Sequence, residues 1–141
     1  PIITKLYKEH PYNQDVIQYY LLYNYEFYNF ATINKVEQKL YAYENNYPFL
    51  IILCSTHFKK SIKSKLRVSL GELERKYKNE KMAQVLMARA HSYLGNTKSA
   101  IYHYNRTHGK IPEEEIKYEK GNSYLMKGRH DKAINIIKET Q

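Results

Sequence analysis

A chain of 141 residues suffices for one compact domain or one short repeat array. A hydrophobic share of 43% supports a packed core, 5 Gly and 4 Pro are too few for a turn-rich sandwich or barrel, and a single Cys excludes an internal disulfide and any multi-cysteine zinc site. The net charge of +9 is uneven: residues 59–81 hold nine Lys/Arg against three Glu, while residues 1–58 hold four Lys against five acids, so a phosphate-bearing or acidic partner for the middle block enters consideration.

In chain order, the opening PIITKLYKEHPY lacks the apolar core of a secretory signal. The longest apolar run, Phe49 to Cys54, is far short of the roughly 20 residues that a membrane span needs. With the unpaired thiol, these features predict an intracellular protein of the cytoplasm or nucleus with no membrane partner. Tyr19, Tyr20, Leu22, Tyr23, Phe27 and Phe30 then recur at helical steps. That segment is aromatic all round, so it is expected to be buried or to form a contact through residues 19–30. Val36, Leu40 and Tyr43 continue the helical period. FLIILC could be a buried strand, but no turn signal separates it from STHFKKSIKSKLRVSL, so it reads as the inner face of a helix. Met82, Leu86, Ala90 and Tyr93 mark a further helix. Pro11, Asn45-Asn46-Tyr47-Pro48, Gly71, Gly95-Asn96, Gly109, Pro112 and Gly128 stand where helices are expected to end. Short connections between such segments predict antiparallel neighbours and an all-α fold in a single domain over residues 1–141.

The segments repeat. Leu66, Ala100 and Ala133 follow one another at a nearly constant step of about 34 residues. At this step Cys54, Ala88 and Gly121 superpose, as do His57, His91 and Tyr124, and Ser61, Gly95 and Gly128. The copies run approximately over residues 13–46, 47–80, 81–113 and 114–141, the first being the weakest. This spacing resembles the tetratricopeptide repeat (TPR), whose period has the same length. Gly121-Asn122-Ser123-Tyr124, Gly128 and Asp131-Lys132-Ala133-Ile134 lie close to the family pattern, and Pro112 stands twelve residues after Ala100, where the family places its proline. Gln84 and Lys117 depart from it, standing where the family has a large aromatic, and Leu66 replaces a small residue.

The resemblance covers residues 47–141 and implies a solenoid of about four antiparallel helix pairs. In it, small residues would let helices touch, Gly95 and Gly128 would make tight turns, and His57, His91, Tyr124 and Ile137 would fill the gaps between. Lys39-Leu40-Tyr41-Ala42 followed by FLIILCSTHF is similar to the N-terminal repeat region of the anaphase-promoting-complex scaffold subunit that contains a Leu-Tyr-Ala run. That region pairs into a homodimer in its family, and so points to self-association.

No catalytic, cofactor or metal set stands out. Cys54 and His57 share a helix face at i and i+3, but with no orienting third group they read as core positions rather than nucleophile and base. The six histidines, His10, His57, His91, His103, His108 and His130, form no H-x3-H pair within one helix, so no metal site is expected. Glu113, Glu114 and Glu115 follow Pro112 as acids that a helix start favours. No glycine motif cradles a phosphate.

The resemblance does supply a binding surface. Its groove positions are Ile51, Ile52, Ser55, Phe58 and Lys59, then Val85, Leu86, Arg89, Ser92 and Tyr93, then Tyr118, Glu119, Asn122, Leu125 and Met126. The lining suits an amphipathic helix or extended peptide. It does not suit the carboxylate clamp of the family's chaperone-binding members, because Ile51, Val85 and Tyr118 stand where its Lys would be and only Asn122 and Arg89 echo it. The reading is a non-catalytic adaptor or scaffold that holds a protein partner or homodimer mate within a larger complex. In the last segment, Ala133, Ile134, Ile136 and Ile137 predict an apolar outer face that needs a cover. The alternative is a helical RNA- or ribosome-associated protein. There a basic patch of Lys59, Lys60, Lys63, Lys65, Arg67, Lys76, Lys78 and Lys81 would meet phosphates.

Overall fold

The computed structural model describes residues 1–107 and 109–138, apart from the side chain of Ile137. The expectations for His108 and for the packing of Ile137 therefore lie outside the described residues. Every regular element described is helical: α1 (Ile2–Glu9), α2 (Gln14–Glu26), α3 (Phe30–Ala42), α4 (Tyr47–Lys59), α5 (Lys63–Tyr77), α6 (Gln84–Tyr93), α7 (Thr97–Tyr104), α8 (Glu113–Met126) and α9 (His130–Lys138), with a 3₁₀ turn over Lys81–Ala83 before α6. The FLIILC run is helical, inside α4. No described helix is long and apolar enough to cross a membrane. The chain divides into two compact units, Pro1–Ile52 and Leu53–Gln141.

One backbone device recurs along the chain. Tyr28 (φ 52°), Ser61 (φ 58°), Gly95 (φ 81°) and Gly128 (φ 73°) each take a left-handed conformation just past a helix end. They follow one another at the period of the sequence repeat. Immediately after each, an amide reaches back across the turn: Asn29 N–H donates to the Asn24 carbonyl at 3.1 Å, Ile62 to His57 at 3.0 Å, Asn96 to His91 at 2.8 Å and Arg129 to Tyr124 at 2.8 Å. These bonds satisfy carbonyls that the ending helix leaves open, and they reverse the chain. The next helix starts at once, with the amides of Ile33, Leu66, Ala100 and Ala133 donating to Asn29, Ile62, Asn96 and Arg129. Four helical hairpins result: α2–α3, α4–α5, α6–α7 and α8–α9. Gly109 (φ 76°) and Pro112 separate α7 from α8, and Pro11 separates α1 from α2. Gly71 corrects the sequence reading: it lies inside α5, exposed, and ends nothing.

In the first unit α2 buries Ile17, Leu21, Asn24 and Tyr25, an i, i+4, i+7, i+8 stripe, against Ile33, Val36, Glu37 and Leu40 of α3. The Asn13 side chain caps α2 by accepting from the Val16 amide at 3.1 Å. Inside, the Tyr25 hydroxyl donates to the buried Glu37 carboxylate. Tyr7 of α1 stacks on Tyr20 with ring centroids 4.1 Å apart, and the Lys39 ammonium lies 4.8 Å from the Tyr7 centroid. The aromatic segment is not buried all round, as had been expected: Tyr19 is 61% exposed and Phe27 68%. A single buried stripe is satisfied by α3, Tyr20 and Tyr23 are half-buried, and Tyr19, Phe27 and Tyr28 stay at the surface.

In the second unit the superposed small positions Cys54, Ala88 and Gly121 are all buried, and so are Leu66, Ala100 and Ala133 on the following helices. Ala88, Ala100, Tyr104 and Ile116 form one cluster, with Ile111 packed against it. Alanine on both α6 and α7 lets their backbones approach, and the large Tyr104 and Ile116 fill the space beside them. On α9, Ala133 is buried, Ile136 half-buried and Ile134 exposed.

Candidate functional site

The first helices of the last three hairpins are α4, α6 and α8, and in the second unit their side chains meet in order. The Phe58 ring of α4 lies 5.8 Å from that of Tyr93 on α6. Arg89 of α6 donates through Nε to Glu119 Oε1 at 2.9 Å and through Nη2 to Glu119 Oε2 at 3.0 Å, and Nη2 also reaches Glu115 at 3.1 Å. Ser92 hydrogen-bonds Ser123 of α8. The Tyr104 hydroxyl of α7 donates to the same Glu119 oxygen at 2.8 Å. The bidentate pair with Glu119 holds the Arg89 guanidinium above its ordinary value, while burial and the bond to Glu119 push the Tyr104 hydroxyl up.

Of the expected groove residues, Ser55, Phe58, Val85, Leu86, Arg89, Ser92 and Tyr93 are half-buried, and Lys59, Tyr118, Asn122, Leu125 and Met126 are exposed. Ile51 and Ile52 fall in the first unit and are left out of this face. Tyr118 is 48% exposed and Met126 60%, apolar area that α8 leaves in water. Arg89, one echo of a carboxylate clamp, already holds two carboxylates of its own chain.

The basic residues of α5 divide between two of its flanks. On α5, whose buried stripe is Leu66, Ser69, Leu70 and Leu73, helical spacing puts Lys63 and Arg67 on one flank and Lys65 and Lys76 on the other. The Lys63 ammonium sits 5.2 Å from the Tyr93 ring centroid and that of Lys78 4.7 Å from Tyr102. Another group of cations, Lys98, Lys127, Arg129 and Lys132, lines a depression of about 840 Å³ beside the α6–α7 and α8–α9 turns. Sequence reasoning had not singled these out, because they come from two different hairpins.

The thiol–imidazole pair is closed off. Cys54 and His57 are both 0% exposed, and His57 Nδ1 lies 2.8 Å from Ser69 Oγ. Burial pushes the Cys54 thiol up to about 11, against a smaller opposing effect of Ser69. At neutral pH the pair offers neither a thiolate nor access to one.

The interior of the second unit holds a group that the sequence reading missed. Glu74 of α5 stands between two histidines. Its Oε2 lies 2.8 Å from His91 Nε2 on α6, and its Oε1 lies 2.8 Å from His103 Nε2 on α7. The two imidazoles are parallel within 4°, with centroids 5.6 Å apart. His103 Nδ1 lies 2.7 Å from Gln84 Oε1, and the Gln84 amide nitrogen donates to the carbonyls of Lys78 at 2.8 Å and Glu80 at 2.9 Å. Burial outweighs the bond to Glu74 and holds the His103 imidazole below its ordinary value. Burial also opposes ionisation of Glu74, but its bonds to His103 and His91 and their charge outweigh that, and its carboxyl stays low. The signal lay across the hairpin rather than along one helix. His91 and His103 are twelve residues apart, as are His57 and Ser69 at the superposed positions.

The chain matches no protein-family model, and no curated protein matches it.

Proposed function

We propose that the second unit is a tetratricopeptide-like, non-catalytic protein-binding module. On this reading it receives an apolar peptide, helical or extended, along the face of α4, α6 and α8. The observation that carries the reading is the side-by-side alignment of those three helices through Phe58–Tyr93, Ser92–Ser123 and Arg89–Glu119, with Tyr118, Leu125 and Met126 left exposed beside them. The recurrence of the left-handed turn once per sequence repeat supports the family resemblance. Because Arg89 is already neutralised, the ligand is apolar rather than a terminal carboxylate. A protein adaptor or scaffold in a larger assembly, or a self-associating chain, is the role that such a face serves.

The test is selection of binders from a library of amphipathic peptides, followed by Leu86→Arg and Tyr118→Arg. Each substitution is expected to weaken a selected peptide by at least tenfold, and salt between about 50 and 200 mM to leave wild-type affinity nearly unchanged. Nucleic-acid binding behaves oppositely, losing about 10³-fold or more over that range when six or more phosphates are neutralised. Binding that survives both arginine substitutions overturns the peptide reading. Steep salt dependence together with loss on charge reversal of Lys63, Lys65 and Arg67 would favour phosphate contacts instead.

A further inference from the structure

The polar group inside the second unit has more order than a repeat core needs. Three helices each bring one ligand-type atom to it: a carboxylate oxygen of Glu74 and one ring nitrogen each of His91 and His103 lie within 4.8 Å of one another. Both imidazoles aim the same ring nitrogen at one carboxylate.

Hydrogen-bond arithmetic says what must lie between them. The Gln84 amide is fixed by two backbone carbonyls that accept from its nitrogen, so its oxygen faces His103 Nδ1 and must accept. The Nδ1 proton is thereby assigned. In the neutral ring, Nε2 then carries only a lone pair, and that lone pair faces a Glu74 oxygen at 2.8 Å. Two acceptors at that distance repel unless a positive centre lies between them. This is also the arrangement of a metal-ligating histidine, whose second nitrogen donates to a carboxylate or carbonyl that fixes the tautomer. His91 has the freedom to match. Its Nδ1 lies 3.2 Å from the Asn96 amide nitrogen, and Asn96 is exposed. A half-turn of that amide presents oxygen instead, moves the His91 proton to Nδ1 and leaves Nε2 bare.

We propose that Glu74, His91 and His103 form a binding site for a divalent transition-metal ion, zinc being the ion whose ligand preferences they meet, and that the ion ties α5, α6 and α7 together. Two imidazoles and one carboxylate suit zinc and its neighbours and are too nitrogen-rich for magnesium or calcium. With bonds of about 2.0–2.1 Å to a tetrahedral ion, adjacent ligand atoms stand roughly 3.3 Å apart. The present 2.8 Å contacts, which run to different oxygens of Glu74, therefore open by about half an ångström as the ion enters, and the two imidazole nitrogens, within 4.8 Å of each other, settle to the same spacing. His103 is 0% exposed and Glu74 25%, so the ion arrives from the carboxylate side and water completes its shell. The site is independent of the peptide-binding face, since neither it nor its Gln84 support belongs to that surface.

Zinc added to the metal-free full chain is expected to raise Tm by about 5 °C or more at a hundredfold excess over Kd. In ¹⁵N spectra of the wild-type chain, the Nε2 resonances of His91 and His103 move with zinc while those of His57 stay. Cobalt in place of zinc gives the visible absorption of a four- or five-coordinate ion. Glu74→Gln and His91→Asn each weaken zinc binding at least tenfold. Unmoved Nε2 resonances in excess zinc, with both rings carrying an Nε2 proton, would assign the bridging charge to a proton and overturn the proposal. Equal zinc affinity in Glu74→Gln and His91→Asn would place the metal on other histidines and overturn it as well. The wild-type spectra decide the matter even if a variant fails to fold.

Discussion

The hairpin α2–α3 of the first unit and the hairpin α6–α7 of the second close with the same backbone and are filled with different chemistry. Both turn through a left-handed residue, Tyr28 in one and Gly95 in the other. Both send an amide back to the superposed position of the preceding helix, Asn24 or His91. The residues twelve positions on from these are Val36 in the first case and His103 in the second, with the intermediate His57 and Ser69 between them in the series. The turn thus forms whether that position holds an aliphatic side chain or an imidazole, and the polar pair that the first hairpin does bury, Tyr25 and Glu37, stands one position further on. It follows that the Glu74–His91–His103 group is not demanded by the repeat. A buried polar group that the architecture does not require is a candidate for a role of its own.

The largest expected effect comes from removing the support of that group. Gln84 bonds three partners at once: the Lys78 and Glu80 carbonyls and the His103 N–H. Gln84→Leu, which installs the residue found at the superposed Leu50, is expected to lower unfolding stability by about 3 kcal/mol in urea denaturation. A loss under about 0.5 kcal/mol would mean that the polar interior is as optional as its aliphatic counterpart.

The second effect concerns Cys54, the thiol among the superposed small positions. With its folded value pushed up to about 11, the protonated thiol contributes stability that is fully present below about 9 and is lost as pH rises toward 11. The amount is about 2 kcal/mol. Cys54→Ala, which matches Ala88, removes this titration. Its stability relative to wild type should rise between pH 9 and 11, and a constant difference across that range would show that burial does not perturb the thiol.

The smallest effects sharpen the comparison of turns. Ser61→Gly should stabilise by up to about 1 kcal/mol and Gly95→Ala should cost about the same, because only glycine takes a left-handed conformation without strain. Gly71→Ala should add about 0.5–1 kcal/mol, since that residue sits mid-helix with nothing within 4 Å of a new Cβ. Equal responses to Gly95→Ala and Gly71→Ala would deny the turn its special conformation. Thermal unfolding of the three variants measures all of these.

Much of this was readable in advance. The offsets that superpose Ser61, Gly95 and Gly128 mark three of the four turns, and Tyr28 one period earlier marks the fourth without a glycine to announce it. Gly71 misled because glycine's helix penalty is small enough for fourteen good neighbours in α5 to override. The aromatic run over residues 19–30 misled differently: hydrophobicity on every side says that a helix could be buried, whereas neighbours decide how much of it is. Arg89 was placed on the right face, but its carboxylates, Glu115 and Glu119, lie 26 and 30 residues on, and only folding brings them together.

Local chemistry and period by themselves determined the helices, their turns and the small residues at their contacts, because each depends on neighbours within one turn or one repeat. The tertiary structure alone decided that a glutamate, two histidines and a glutamine from three successive helices would share one buried space. No spacing rule within a helix encodes that meeting, since it depends on the rotation of each hairpin against the next, which packing sets and the one-dimensional pattern does not state.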